Sequence, residues 1–384
     1  MSTNDYLLNI NGDYFNALEI ESFSKMMDSP SFCYKFYWLD AIVDLISEDV
    51  TETTFDDVIN EMIASAWYSV VEFHIHLSGV IYKDKDNLEK AVNKLSSVSG
   101  LKSNASKTEI RNTIRTYDTH IAKEKNELTK NVPYKALSGF FRTHGMGPLD
   151  DSVGRMVDKI VLFNDQNAKL PYTLGKSSGL KREVYFNNDW VKMIRDNTVS
   201  IKGWIQYEKV KWLQKNNPEV PGIVYKLSPL DERKRKLLHV RNLWEGIYKY
   251  TEVRDIFTGA PIVPSDYDID HFVPFSFVMN DELWNLMPMD PNLNSGKGSK
   301  LPSWDRFFKD FANNQFLMYK MIHSKDDIYI LYEKCFKDNL FSLWAVQELY
   351  REGNDEGAFF HILSENMRPV YDSALRQGYG MWDY

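Results

Sequence analysis

The chain has 384 residues, of which 43% are hydrophobic and 14% aromatic, so it is far too apolar for a disordered protein. This length exceeds the roughly 100 to 200 residues of a typical domain, which predicts two or three folded domains. The formal net charge of −8 argues against a surface that is positively charged throughout and coated with nucleic acid.

The number of cysteines and the hydropathy of the chain indicate which bonds and which cellular compartment to expect. Cys33 and Cys335 stand about 300 residues apart, which excludes a disulfide framework and a Cys-rich zinc ribbon and predicts two reduced, buried thiols. The first residues lack a basic stretch followed by an apolar one, and no run of about 18 apolar residues occurs. We therefore expect a cytoplasmic protein without membrane contact.

The first third of the chain has the pattern of paired helices. Apolar residues recur on one face of residues 34–47, among them Trp38 and Ile42. Thr54 and Asp57 resemble a capping box in front of an apolar stripe at 58–67. These two segments predict two helices that face each other.

A second capping box, Ser106 with Glu109, predicts a polar helix towards residue 129 that serves as an exposed connector. Before it, His74 and His76 alternate as in a strand. No carboxylate or cysteine follows them at ligand spacing, so a structural role is favoured over a metal site.

Further helices are predicted in the middle of the chain and near its end. One begins at Trp190, and one at 200–215 is expected to turn Trp204, Tyr207, Val210 and Leu213 inward. Beyond Pro302, three more are predicted, the first capped by Ser303.

The segment 226–250 is basic, with a net charge of +4. Its core is the run Arg233, Lys234, Arg235 and Lys236, which we interpret as a candidate contact with nucleic-acid phosphates. A solvated helix face is the alternative, since charge runs usually have that role.

The candidate catalytic and metal-binding residues follow this basic segment. Thr258-Gly259 offers a turn between two short extended stretches, the second of which ends at Asp270-His271, and this predicts a β-hairpin. Asn285, Asn294 and Lys297 follow His271 by 14, 23 and 26 residues. Asn294 and Lys297 are three residues apart, which places them on one face of a helix.

These residue types suit phosphodiester hydrolysis with one divalent metal ion. Asp270 and the side-chain oxygen of Asn294 are hard ligands of the kind that Mg²⁺ prefers. His271, with an ordinary pKa near 6.5, is suited to take a proton from the attacking water. Lys297 and Lys300 are candidates for contact with a substrate phosphate, the alternative being an ordinary soluble stretch of helix.

This segment closely resembles the HNH endonuclease motif in its His-Asn-Asn form, and residues 268–277 are similar to the HNH domain of RNA-guided CRISPR effector nucleases. The resemblance implies a ββα-metal fold, with Asp270 and Asn294 as metal ligands and His271 as general base. It also implies that Asn285 orders the loop that positions the histidine, and that Lys297 lies near the substrate phosphates. Residues 34–38 and 62–67 are similar to helical segments of bacterial HNH proteins of restriction or phage-defence type.

The segment departs from the common HNH pattern in two respects. Residues 257–260 stand where many HNH proteins have a cysteine pair, so a structural zinc is not implied. Asn294 stands where others have histidine, which favours Mg²⁺ or Mn²⁺ over softer metals. No organic cofactor is predicted.

We therefore expect an α-rich α+β protein with four regions: a helical domain at 1–135, a mainly helical segment at 136–251, the HNH unit at 252–302 and a helical region at 303–384. The expected function is metal-dependent cleavage of DNA, in a bacterial restriction or phage-defence setting. A protein partner or activator is also expected, with the aromatic-rich N-terminal helices as its interface, because an acidic chain attracts nucleic acid weakly. The oligomeric state stays open.

Two other functions fit the same motif. The first is an RNA-directed nuclease or toxin, because nothing in the motif distinguishes a 2′-hydroxyl from its absence. The second is a subunit of a nucleic-acid-binding complex that keeps the fold without turnover.

Overall fold

The computed structural model describes residues 8, 10, 12–28, 30, 32–79, 86–147, 149–167, 169–227, 237–336 and 342–384. These residues are mainly helical with a few short strands, which confirms the predicted α-rich α+β class. The helices are α1 (Ile20–Ser24), α2 (Tyr34–Ser47), α3 (Phe55–Val71), α4 (Asn87–Ser99), α5 (Lys107–Thr116), α6 (Asp118–Leu128), α7 (Val132–Lys135), α8 (Ser138–Thr143), α9 (Val153–Gln166), α10 (Asn188–Asp196), α11 (Thr198–Asn216), α12 (Leu238–Tyr248), α13 (Phe275–Val278), α14 (Pro291–Lys297), α15 (Trp304–Ser324), α16 (Asp326–Cys335) and α17 (Glu356–Gln377). The strands are β1 (Glu52–Thr54), β2 (Tyr172–Leu174), β3 (Glu183–Phe186), β4 (Asp268–His271), β5 (Leu286–Met289), β6 (Leu301–Pro302) and β7 (Met381–Trp382).

The chain forms two compact units. The first comprises Met1–Pro218 and Lys226–Pro229, and the second comprises Glu219–Tyr225 and Leu230–Tyr384. The four-region division drawn from the sequence stays a prediction.

The core of the first unit is built on α2 and α3, which pack against each other as predicted. Trp38 and Trp67 are fully buried there, and the Trp38 indole donates a hydrogen bond of 3.1 Å to the Tyr172 hydroxyl. The predicted capping box of α3 is present: Thr54 Oγ1 accepts from the Asp57 amide at 3.2 Å, and the Asp57 carboxylate accepts from the Thr54 amide at 3.2 Å.

A small antiparallel sheet lies in the same unit, with the strand order β1-β3-β2. In its register Thr53 stands opposite Val184, and Thr173 stands opposite Tyr185. The sequence analysis did not predict these three strands, each of which has only three or four residues.

The segment 106–129 differs from the predicted connector. Its capping box at Ser106 is present, but the chain breaks at Tyr117 into two helices, α5 and α6. The Lys125 side chain is fully buried, where it pairs with Asp56 at 2.6 Å and Asp118 at 2.5 Å. This segment therefore contributes to the core, because its apolar face is covered by α3 and α4.

Two other local predictions are wrong. His74 has φ +52° and residues 74–76 have no regular secondary structure, so the segment from His74 to His76 is not a strand. Tyr207 is 38% exposed, although its neighbours Trp204 and Leu213 on α11 are buried as predicted.

In the second unit, α15 packs against β5 and α17 packs against α15, and their shared core includes residues of β4. Gln315 of α15 is fully buried and donates a hydrogen bond of 2.7 Å to the Leu286 carbonyl in β5. Strand β7 pairs in parallel with β6, and the Trp382 ring lies 4.7 Å from the Phe257 ring. Residues near 382 thus complete the core around the segment that the sequence singled out.

Both cysteines are free and buried, as predicted. Across the described ranges, no helix combines the length and the apolar character needed to cross a membrane.

Candidate active site

The site is built on β4, β5 and α14. Strands β4 and β5 are antiparallel, with Asp270 opposite Met287 and His271 opposite Leu286. Helix α14 follows directly: Asp290 caps it by accepting from the Asn292 and Leu293 amides, at 2.8 and 3.2 Å, and Pro291 occupies the first turn. The result is a ββα arrangement.

The partner of β4 differs from the sequence prediction. The predicted hairpin paired the stretch that ends at His271 with the residues before Thr258, whereas the structure pairs it with β5. The Thr258-Gly259 turn does form, but it closes a separate loop with a single bridge between Arg254 and Pro261. The stretch that ends at His271 was identified from the sequence; its partner β5 was not, because 14 residues separate β4 from β5.

Asp255 organises that loop and is 3% exposed. Its Oδ1 accepts from the Phe257 and Thr258 amides, at 3.0 Å each, and from the Thr258 hydroxyl at 3.1 Å. One carboxylate thus holds the loop in which many HNH proteins have a cysteine pair.

One polar cluster joins β4 to α14. Asp268 and Asp270 are two residues apart on the strand and share a face. Asn294 Nδ2 donates to Asp268 Oδ2 at 3.0 Å, and Lys297 Nζ donates to Asp270 Oδ2 at 2.7 Å. Asp268 was not among the residues predicted for the site, although its position two residues before Asp270, on the same face of an extended stretch, indicates it.

The Lys297–Asp270 pair is removed from solvent. The Lys297 side chain is 0% exposed and that of Asp270 is 14% exposed. Removing a charged group from water costs roughly several kcal/mol. A buried ammonium therefore needs a counter-charge whose attraction offsets this cost. Asp270 supplies that counter-charge.

His271 lies at the end of β4 and is fully buried. Its Nε2 is 3.0 Å from the Asn280 carbonyl oxygen and 3.2 Å from Asp281 Oδ1. Both of these groups are acceptors, so Nε2 carries the proton in neutral imidazole and Nδ1 carries the lone pair.

Asn285 fixes the chain just beyond His271. Its Nδ2 donates to the Val273 carbonyl and its Oδ1 accepts from the Val273 amide, each at 2.8 Å. The side chain is fully buried. Trp284, Leu286 and Met287 beside it are buried too.

The structure brings together only some of the predicted residues. Asp270, Asn294 and Lys297 meet in the cluster with Asp268, and His271 follows Asp270 directly while bonding to the loop at 280–281. Lys300 is exposed beyond the end of α14. The predicted phosphate-binding run at Arg233, Lys234, Arg235 and Lys236 lies outside the described residues.

The donor set fits a hard divalent cation. Among the described residues, no group of three or more His, Cys, Asp or Glu side chains is arranged to hold a metal ion. The cluster instead offers two carboxylates and one amide oxygen, Asn294 Oδ1. Mg²⁺ is commonly bound by one or two carboxylates while it keeps several waters, so this set is sufficient.

The comparison with protein families agrees with this geometry. Residues 255–303 match a family model described as HNH endonuclease. No curated protein matches the chain. The matched segment contains β4, β5 and α14, and it begins at Asp255, which organises the first loop. Residues 255–303 of this chain form an HNH endonuclease domain.

Proposed function

We propose that the protein is an active, metal-dependent endonuclease that hydrolyses phosphodiester bonds in DNA. The observation that carries the proposal is the Asp270–Lys297 and Asp268–Asn294 cluster, followed directly in the sequence by a histidine whose Nε2 is held by two acceptors. This arrangement combines ligands for a cation with a nitrogen base.

His271 has the role of general base. Nδ1 takes a proton from the attacking water, the water oxygen bonds to phosphorus, and the bond from phosphorus to the leaving oxygen breaks. The leaving oxygen takes a proton from solvent, so the products are a phosphate monoester and a hydroxyl. Asn285 keeps the backbone after His271 in place during this step.

Asp270, Asn294 and Asp268 would hold the divalent ion, Mg²⁺ or Mn²⁺. When bound, this ion supplies stabilisation of the negative charge that builds up on the phosphate oxygens. Lys297 contributes a positive charge at the same cluster, either paired with Asp270 or in contact with a substrate phosphate.

Plasmid cleavage by the purified chain, with Mg²⁺, Mn²⁺ or chelator, tests the proposal. We expect metal-dependent cleavage in the wild type and a loss on the order of 10²- to 10⁴-fold in His271→Ala. His361→Ala is the matched control, because His361 is an exposed histidine of α17 in the same unit. Equal cleavage by wild type and His271→Ala would contradict the assigned base, and no cleavage under any condition would contradict the activity.

DNA is proposed as the substrate on the resemblance to known HNH domains. Matched DNA and RNA strands should therefore be compared in the same assay, where preferential cleavage of RNA would reverse this part of the proposal.

A restriction or phage-defence setting is proposed on the similarity of residues 34–38 and 62–67 to bacterial HNH proteins. Protection of cells against phage by the wild-type gene, lost in His271→Ala, is the expected result.

A further inference from the structure

The loop between α13 and β5 presents a carboxylate to His271. Asp281 Oδ1 lies 3.2 Å from His271 Nε2, and the Asn280 carbonyl lies 3.0 Å from the same nitrogen. The carbonyl alone would be enough to place the proton on Nε2. The Asp281 carboxylate is therefore not required to set the tautomer of the ring, which indicates a further role.

The backbone directs this loop towards the histidine. Helix α13 ends at Met279, which has φ +57°, a left-handed conformation that is uncommon for residues other than glycine. Met279 reverses the chain so that Asn280 and Asp281, the next two residues, reach the imidazole.

A buried anchor then holds the loop in place. Glu282 is 7% exposed. Its Oε1 accepts from Asn280 Nδ2 at 2.9 Å, and its Oε2 accepts from the Ser342 amide at 3.1 Å and from the Trp284 indole. These contacts of Glu282 do not involve Asp281, so Glu282 anchors the loop independently of it.

The position of Asp281 suits the charge that forms in the proposed reaction. When Nδ1 takes the proton of water, the ring becomes an imidazolium, and a carboxylate on Nε2 stabilises that cation more than a neutral carbonyl does. The Asp281 side chain is 16% exposed and that of His271 is 0% exposed, so water screens this interaction only in part.

We propose that Asp281 is a positioning residue of the nuclease, whose carboxylate orients His271 through Nε2 and offsets the positive charge of the ring when Nδ1 accepts the proton. This inference rests on the proposed function, since it assigns Asp281 a part in the same reaction.

The first test compares Asp281→Asn, Asp281→Ala and Asp281→Glu in the full chain. We expect Asp281→Asn to lower the single-turnover cleavage rate by on the order of 10- to 100-fold, with little change in DNA affinity measured in chelator. Asp281→Ala should be at least as slow, and Asp281→Glu should recover part of the rate. Asp326→Asn removes an exposed acid in the first turn of α16 and is the matched control.

These readouts separate positioning from a structural role. A residue that only supports the loop would lower the melting temperature in Asp281→Asn and lower the DNA affinity along with the rate, and Glu would not restore the rate. That pattern, or a wild-type rate in Asp281→Asn, would overturn the proposal.

The second test does not depend on cleavage. Nitrogen-15 resonances of His271, assigned by their loss in His271→Ala, report which ring nitrogen carries the proton. We expect the Nε2–H form in the wild type, and a larger share of the Nδ1–H form in Asp281→Asn, whose amide can donate to Nε2. The positioning role would be overturned if the His271 ring of the wild type were in the Nδ1–H form, or if the ring resonances of wild type and Asp281→Asn were identical. If the wild type shows the Nε2–H form but cleaves no nucleic acid, the proposed function fails and the orientation by Asp281 stands.

Discussion

Asn285 shows how one buried side chain determines the path of the backbone. Its amide group closes two hydrogen bonds on Val273, one to each backbone polar group. Neither group has water to replace that partner, because Asn285 is fully buried. An unpaired buried donor or acceptor costs about 1 to 3 kcal/mol.

Asn285→Ala should therefore lower the free energy of unfolding of the second unit by about 2 to 4 kcal/mol, because two polar groups lose their partners. Asn292→Ala, at an exposed position of α14, should change it by less than about 0.5 kcal/mol. Hydrogen exchange of the β4 and β5 amides in the full chain measures both values. Equal protection in the two variants would show that the Val273 contacts contribute little.

Lys297 and the proposed divalent cation would place positive charge on the same carboxylate. In Lys297→Met the Asp270 carboxylate loses its counter-charge, so the metal-free variant should be destabilised by about 3 kcal/mol or more. Mn²⁺ should then raise its melting temperature more than that of the wild type, since the cation restores the lost charge pairing.

Lys300→Met is the control for this comparison, because Lys300 lies three residues further on and is exposed. The same Mn²⁺-induced shift in all three proteins would place the cation away from Asp270.

At the scale of elements, helix positions followed from local signals in the sequence. Thr54 and Ser106 each cap a helix through contacts within three residues, so sequence alone located both helix starts. The pairing of β4 with β5 depends on the path of the intervening chain, which Asn285 and Glu282 fix only in the folded protein. For the same reason the sequence identified Asp270, His271 and Asn294 as candidates but not Asp281, whose significance lies in a tertiary contact.

The packing of α8 against α1 gives a prediction about helix contacts. A Cβ added at Gly139 would lie 2.5 Å from the Ser22 carbonyl oxygen, and this atom belongs to the backbone and cannot rotate away. Gly139→Ala should destabilise the first unit by about 1 to 3 kcal/mol.

Gly154→Ala should instead raise the free energy of unfolding of the first unit. A Cβ there has no neighbour within 4 Å, and alanine reduces the entropy of the unfolded chain, so about 0.5 kcal/mol of stabilisation is expected. Urea unfolding of the two variants beside the wild type measures the pair, and a shift in the same direction for both would contradict the packing argument.

At the scale of the whole molecule, a largely buried carboxylate makes the stability of the first unit depend on pH. In the first unit, burial raises the pKa of Asp40, but Lys209 at 3.2 Å and Lys202 at 3.0 Å outweigh it, and the pKa falls to about 2. The unfolded value is about 3.9. A depressed carboxyl pKa stabilises the folded state above the unfolded value, and this stabilisation is lost as the pH falls towards 2.

Asp40→Asn should therefore cost the first unit about 2 kcal/mol or more near neutral pH, and the difference from wild type should shrink as the pH drops below about 4. Hydrogen exchange of the α2 amides measures the stability of the first unit separately from that of the second. Asp158→Asn removes an exposed acid of α9 and should show no such dependence. A difference that stays constant down to about pH 3 would contradict the role of the Asp40 charge.

The pairing of β7 with β6 bears on which fragment of the chain would keep the HNH domain folded. Residues 252–302 hold every catalytic candidate, yet Trp382 covers the Phe257 ring and the Tyr371 hydroxyl donates to the Pro302 carbonyl at 2.8 Å. A transplanted fragment of residues 252–302 would expose these contacts and lose the support of Gln315 beneath β5. The smallest fragment that keeps this domain folded should therefore include the residues up to 384, and a fusion partner attached there would need a linker that leaves the β6–β7 pair undisturbed.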